Sequence, residues 1–318
     1  MILTEVLKAA KVIRPYIHQI PMRRCRFLGE QTGATVWLKL ENWQPTGSFK
    51  IRGATNRLSQ LSEEEKARGV VVASAGNHGL GVAYAVENLG GTTADIFLPQ
   101  TAPSAKVEKL RRFKNVELHL VGETYADAVA AADDFAEQGG GVKIQAYDDP
   151  VVIAGQGTIG LEILQERPET EIIVVPVGGG GLIAGISAAV RSLNPDCSVV
   201  GVQAAASPAA LLSLRDNVSY DPYDHEPTIA DGLAGGFGEW PLRIGREFID
   251  RILLASEAEM RQAIYALLEQ EQLVVEASGA AAIVPLLNGS LDVKDKNIVC
   301  VLSGGNLAID LLKEIAKR

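Results

Sequence analysis

A lysine and a run of glycines carry most of the chemistry that can be read from this sequence. In Pro45-Thr46-Gly47-Ser48-Phe49-Lys50-Ile51-Arg52-Gly53-Ala54 a turn leads to Ser48, a plausible N-cap, and then to a helix whose second residue is Lys50. There the positive end of the helix dipole and nearby Arg52 both disfavour a proton on the amine. An amine held neutral attacks carbonyl groups. The plainer alternative is a solvated lysine on an amphipathic helix. Gly178-Gly179-Gly180-Gly181-Leu182 follows an apolar strand and opens another helix, so its amides can surround a phosphate where the helix dipole favours negative charge. Consecutive glycines lose much backbone entropy on folding, which argues against a turn that merely connects two elements.

A dinucleotide is one possible owner of that phosphate, because Gly179-x-Gly181-x-x-Ala184 satisfies the Rossmann pattern. Such a site also needs an acid at the end of the next strand to hold the ribose, and that strand ends at Gln203. A phosphate cradle together with an amine poised to condense with an aldehyde points instead to pyridoxal 5'-phosphate. Lys50 would take the aldehyde, and Gly178 to Gly181 the phosphate.

These groups need strand ends to hold them, and strands alternate with helices along most of the chain. Thr4 to Arg14 reads as a helix, and Thr35 to Leu40 as the strand that feeds the lysine turn. Val70 to Ala73 precedes Ser74-Ala75-Gly76-Asn77-His78-Gly79, after which Leu80 to Leu89 is expected to be helical. A strand at Ala94 to Leu98, a helix over Ala102 to Phe113, a strand at Val116 to Val121 and a helix over Tyr125 to Gln138 follow. Beyond Gly139-Gly140-Gly141 come a strand from Val142 to Ala146 and a long helix from near Asp149. Further strands lie at Ile172 to Val177, Ser198 to Gln203 and Ile298 to Leu302, the last ending at Ser303-Gly304-Gly305-Asn306. This order predicts an α/β fold with a largely parallel sheet covered on both faces, and sites beyond the carboxyl ends of its strands.

The 318 residues leave room for two domains, and 47% hydrophobic with 22% charged residues is ordinary for a soluble globular protein. A net charge of −9 argues against a nucleic-acid partner. Cys25, Cys197 and Cys300 are odd in number and far apart, which suits a reducing cytoplasm. His18, His78, His119 and His225 show no metal-ligand spacing, so no metal is expected. Met1 to Arg14 lacks an apolar signal core. Ile172 to Val190 carries no charge over 19 residues, but Pro176 and the glycine run would break a membrane helix, so no membrane partner is expected.

Over nearly its whole length the sequence resembles the tryptophan-synthase-β-like, or fold type II, pyridoxal-phosphate enzymes, and most of all their threonine/serine dehydratase and serine racemase branch. The resemblance rests on Lys39-Leu-Glu41 with Thr46-Gly-Ser-Phe-Lys-Ile-Arg-Gly-Ala54, Ser74-Ala-Gly-Asn-His78, Gly155-Gln-Gly-Thr-Ile-Gly160, Gly178-Gly-Gly-Gly-Leu182, Thr228-Ile-Ala-Asp-Gly232 and Ser303-Gly-Gly-Asn306. It implies a two-domain fold: a large cofactor-binding domain of residues 1–44 and 145–318, with a parallel sheet, and an inserted, mobile, substrate-gripping domain of residues 45–144. Lys50 would be the Schiff-base lysine and the base for the substrate's Cα proton. Phe49 would stack near the cofactor ring, Asn77 would bond its 3'-hydroxyl, and Ser303 would face the pyridine nitrogen. A hydroxyl, unlike a carboxylate, does not stabilise a protonated pyridinium. Ser74, Ala75, Gly76, Asn77 and His78 would grip the substrate carboxylate. Ser74 and Glu276 join Lys50 as candidate catalytic residues. Taken alone, His78 reads as a structural histidine and Glu276 as an acid at a helix N-terminus.

The activity so implied is a dehydratase, or ammonia-lyase, that turns L-threonine into 2-oxobutanoate and ammonia and L-serine into pyruvate. A dehydratase of threo-3-hydroxyaspartate, a serine racemase and a β-replacement enzyme are the alternatives, with a homodimer or homotetramer expected in each case. Racemases of the branch have a second serine where this chain has Ala75, so racemisation should be weak. Gln203-Ala-Ala-Ala-Ser207 offers no carboxylate for the cation some relatives bind. Gln145-Ala146-Tyr147 replaces the more usual histidine-containing wording, and Ala234-Gly235-Gly236-Phe237 is also uncommon. The sequence ends at Arg318 directly after its last expected helix, which is taken to leave no room for a regulatory C-terminal domain.

Overall fold

The computed structural model describes residues 3–317; Met1, Ile2 and Arg318 lie outside that range. Its strands are β1 (Arg23–Arg24), β2 (Thr35–Leu40), β3 (Val70–Ala73), β4 (Ala94–Leu98), β5 (Val116–Leu120), β6 (Val142–Lys143), β7 (Ile172–Pro176), β8 (Ser198–Ala204), β9 (Arg251–Ala255) and β10 (Asn297–Leu302). They form two sheets. Six strands run in the order β1-β2-β10-β7-β8-β9, and four in the order β5-β4-β3-β6. All neighbours are parallel except β1, which pairs antiparallel with β2. The helices between the strands cover both faces of each sheet, as parallel sheets require.

Hydrophobic alternation explains the layering. In the large sheet Val36, Leu38, Leu40, Val200, Val202, Ile298, Cys300 and Leu302 face one core, while Ile173, Val175, Val199, Val299 and Val301 face another with Ile183 and Ile186. In the small sheet Val70, Val72, Ile96 and Leu98 pack on Val82 and Val86. On its opposite face, Val71 and Phe97 meet Ala128 and Ala132.

Strand β10, last in sequence, lies in the middle of the large sheet, with Ile298 beside both Val36 and Ile172. The residues after it therefore emerge against the lysine turn. Ser48 bridges Gly304, Phe49 donates its amide to the Ser303 carbonyl at 3.1 Å, and Gly305 donates to Gly47 at 2.8 Å. This strand addition removes Ser48 from its expected role. Its hydroxyl is buried without a partner among the described residues, and Phe49, already in helical conformation, takes the cap position of the Lys50–Leu58 helix.

That lysine helix lies between the Asn77–Leu89 and Pro150–Glu166 helices. Glycines allow the close approach: a Cβ on Gly81 would lie 3.0 Å from the Lys50 carbonyl carbon, and one on Gly155 would lie 2.7 Å from the Arg52 oxygen. Other boundaries shift for local reasons. The helix expected over Ala102 to Phe113 is shorter, Ser104–Leu110, starting just after Pro103. The strand expected from Val142 to Ala146 shrinks to β6, whose register partners are only Val70 and Val71. Strand β9 was not anticipated, and it pairs with β8 from Val200 to Ala204.

Candidate active site

Lys50, Asn77, Gly178 to Gly181, Glu276 and Ser303 line one cleft of about 780 Å³ at the carboxyl ends of β3, β7 and β10. The topology decides this: in parallel sheets the ends of neighbouring strands open to the same side.

The Lys50 amine donates to the Ala146 carbonyl at 2.9 Å, and burial lowers its pKa to about 8. The direction matches expectation but the cause differs, because Arg52 does not act on it as a free cation. The Arg52 guanidinium, fully buried, bonds both Glu41 oxygens at 2.8 Å, both Glu162 oxygens at 2.6 and 2.8 Å, and Thr158 Oγ1 at 3.0 Å. Lys39 completes the group through Glu162 at 2.6 Å. Two cations and two carboxylates cancel, so little net field reaches the amine. The cluster ties the lysine helix to β2 and to the Pro150–Glu166 helix.

Ser74 to Gly76 form the loop after β3, and the Ser74 hydroxyl accepts the Gly76 amide at 3.2 Å. Asn77 and His78, expected in that loop, instead form the first turn of the Asn77–Leu89 helix. Burial, and then the charge of Lys50, push the His78 pKa down to about 3. Its imidazole is therefore neutral, and Nε2–H donates to the Ile144 carbonyl at 3.0 Å. This is the geometry of a structural histidine whose ring also walls the cleft.

Both ends of the Asn77 amide are engaged. Nδ2 donates to Glu276 Oε1 at 2.6 Å, and Oδ1 accepts from Asn306 Nδ2 at 2.7 Å. Lys109 reaches Asn306 at 3.0 Å, and Lys106 reaches Asp231 at 2.8 Å, so several bonds cross the cleft from the small-sheet side. Glu276 precedes a short helix, but its pKa moves opposite to what a helix N-terminus gives. Burial, and then Asp231, push it up to about 7.

Among the described residues no backbone carbonyl takes the amides of Gly178, Gly179 or Gly180. Gly180 has φ +92°, and a Cβ there would sit 2.3 Å from Phe237. A Cβ on Gly178 would sit 2.4 Å from the Gly232 oxygen. The run therefore has to be glycine to expose its amides. Ser303 is buried against the cleft, and its hydroxyl has no hydrogen-bond partner among the described residues. Pyridoxal phosphate fits these vacant groups: an amine for its aldehyde, free amides for its phosphate and an unengaged hydroxyl for its ring nitrogen.

Some residues at the cleft were not found from sequence. The Tyr147 ring lies over Gly179, and its hydroxyl donates to the Asp221 carboxylate at 2.9 and 3.0 Å. Asp221 sits in a polar connection with no motif to mark it. Gln203, which spoiled the dinucleotide pattern, accepts the amides of Ala210 and Leu211 at 3.0 and 3.3 Å, starting the Ala209–Asp216 helix where a ribose would lie.

The family model described as "Pyridoxal-phosphate dependent enzyme" matches residues 13–304. An L-threonine ammonia-lyase of Thermotoga maritima is 41% identical over 317 residues, covering 99% of this chain and 78% of that protein. A catabolic L-threonine dehydratase of Escherichia coli is 38% identical over 314 residues, 98% of this chain and 94% of that one. Among solved structures, the processed form of threonine deaminase isoform 2 from Solanum lycopersicum superposes with a TM-score of 0.91 at 33% identity, over 99% of this chain and 86% of that one. Maize serine racemase gives 0.91 at 27% identity, over 99% and 97%.

Proposed function

Because this chain belongs to the pyridoxal-phosphate-dependent enzymes, we propose that it is an L-threonine ammonia-lyase that also accepts L-serine. One observation carries the reading: a buried amine, free glycine amides and a free serine hydroxyl share one cleft, in a chain 41% identical to an L-threonine ammonia-lyase. When bound, the cofactor supplies a ring that takes up the electron pair left on Cα.

The chain's own residues do the rest. With a pKa of about 8, roughly a tenth of Lys50 is neutral at pH 7, enough to take the Cα proton. Amides and donors of residues 74–77 hold the substrate carboxylate. The Ser303 hydroxyl would leave the nitrogen of a bound ring uncharged, which makes the ring a weaker electron sink and favours prompt loss of the β-hydroxyl. Phe49 would stand beside the bound ring, and Asn77, whose Nδ2 keeps a second hydrogen beyond its bond to Glu276, would orient the ring hydroxyl. Glu276 is protonated below about pH 7, so it can hold a proton beside the substrate. Threonine loses its Cα hydrogen and β-hydroxyl as water. Hydrolysis of the released enamine gives 2-oxobutanoate and ammonia, and serine gives pyruvate by the same route.

The cleft favours a neutral side chain over 3-hydroxyaspartate. Asp221 lines it with no cation paired to it among the described residues and would repel a second substrate carboxylate, as would Glu276 once ionised above about pH 7. Ala75 supplies no hydroxyl on the opposite face of Cα, which supports elimination over racemisation. Residues 45–144 act in this reading as the smaller, moving body, and the bonds Asn77–Glu276, Lys109–Asn306 and Lys106–Asp231 hold it closed. A homodimer or homotetramer belongs to the same reading, and three free, buried cysteines support its place in a reducing cytoplasm. No helix among the described residues is long and apolar enough to cross a membrane.

Ammonia release from L-threonine, L-serine, D-serine and threo-3-hydroxyaspartate tests the assignment on the cofactor-loaded protein. L-Threonine should be fastest with L-serine next; release from hydroxyaspartate alone, or from none, would overturn it.

A further inference from the structure

On one face of the small sheet three metal-ligating side chains meet. Asp95 is the second residue of β4 and Glu117 the second of β5, and the two are register partners in the parallel ladder. His119, two residues beyond Glu117, faces the same side beside its own partner Phe97. One ligand atom from each side chain lies within 4.8 Å of the other two, and His119 Nε2 is 2.7 Å from Asp95 Oδ1. The imidazole stacks on Phe97 with ring centroids 4.5 Å apart and planes 15° from parallel, and it leans on Phe135 at 5.8 Å. Aromatic packing thus fixes the ring with Nε2 aimed at the carboxylates.

Bond lengths of about 2.0–2.1 Å to nitrogen and oxygen put neighbouring ligands of a tetrahedral ion about 3.3 Å apart. His119 Nε2 and Asp95 Oδ1, 2.7 Å apart, need to part by only about half an ångström to meet that spacing. Glu117 is exposed and has no hydrogen-bond or ion-pair partner among the described residues, so it can swing by the small amount required. One imidazole with two carboxylates suits a borderline divalent ion such as zinc, and offers too few oxygens for calcium. A surface histidine–carboxylate pair needs only Asp95; it does not account for the third ligand converging on the same point.

We propose that Asp95, Glu117 and His119 form a site for a zinc-like divalent cation, completed by water, that clamps the edge strand β5 to β4. The ion takes the Nε2 lone pair, and the hydrogen now shared with Asp95 moves to Nδ1 or to solvent. Asp95 and Glu117 lie near the amino ends of β4 and β5 and His119 one residue short of the end of β5; none of the three lines the cleft, so the site is separate from the chemistry there. Histidine spacing alone does not reveal it, since the ligands come from two strands.

The cofactor-loaded protein, freed of metal by chelator, is titrated with zinc chloride by calorimetry and with cobalt chloride by visible absorbance, alongside Glu117→Gln and His119→Gln. One site per chain is expected, weakened about tenfold or more in each variant, with ammonia release and the cofactor spectrum retained as proof of folding. Equal affinity in wild type and Glu117→Gln, or no binding up to millimolar metal, overturns the proposal.

Discussion

Replacing Glu276 with glutamine should stabilise the protein, and more so as the pH rises. The carboxyl is buried at the cleft, and its pKa is pushed from 4.5 to about 7 by burial first and Asp231 second. Glutamine keeps an Oε1 for the 2.6 Å bond from Asn77 and removes the charge. At about 1.4 kcal/mol per pH unit, ionising this group in the folded protein is about 3 kcal/mol harder than in the unfolded chain. The folded value lies above the unfolded one. Glu276 therefore contributes most favourably below pH 4.5, and its contribution is lost as the pH rises through about 7. Over wild type, the variant should gain about 3 kcal/mol near pH 8.5 and about 1.5 kcal/mol near pH 5.5. Urea unfolding of both proteins at the two pH values reads this directly. A difference that does not change with pH, or a variant less stable than wild type in alkali, would refute the buried-carboxyl argument.

Three further outcomes follow from the same geometry. Arg52→Met leaves the buried Glu41 and Glu162 with Lys39 as their one remaining cation among the described residues, and so with an uncompensated buried charge. It should destabilise the fold by about 3–5 kcal/mol, seen as a lower melting midpoint by circular dichroism, and unchanged melting would show that the cluster is not needed. Gly180→Ala places a Cβ at φ +92° and 2.3 Å from Phe237, and should weaken pyridoxal phosphate binding about tenfold or more in a spectroscopic titration of the cofactor-free protein. The rate at which that protein captures pyridoxal phosphate should rise about tenfold from pH 6 to 7 and level off above the Lys50 pKa of about 8; a rate still climbing toward pH 10 would mean an ordinary solvated lysine.

The strand ends that matter were legible because their signals are local. An apolar run followed by glycines or by Ser303-Gly304-Gly305 marks the end of a buried strand, and the lysine turn carries its own Pro45-Thr46-Gly47 signal. What the sequence hid depends on partners far away in the chain. Ser48 looks like a cap until the chain beyond β10 pairs with it. Arg52 looks like a neighbour of Lys50 until Glu41 and Glu162 are seen to surround it. Strand β9, Arg251–Ala255, is short and half exposed, so its alternation is weak. Asn77 and His78 follow Gly76 with no residue that signals a helix start, and the helix begins there without a side-chain cap.

The account depends on one covalent attachment, of pyridoxal phosphate to the Lys50 amine. Borohydride reduction of the cofactor-loaded protein, followed by proteolysis and mass spectrometry, tests it most directly. The pyridoxyl mass should appear on Lys50, and Lys50→Ala should carry none. Label on another cleft lysine such as Lys106 or Lys109, or its persistence in Lys50→Ala, would contradict the account.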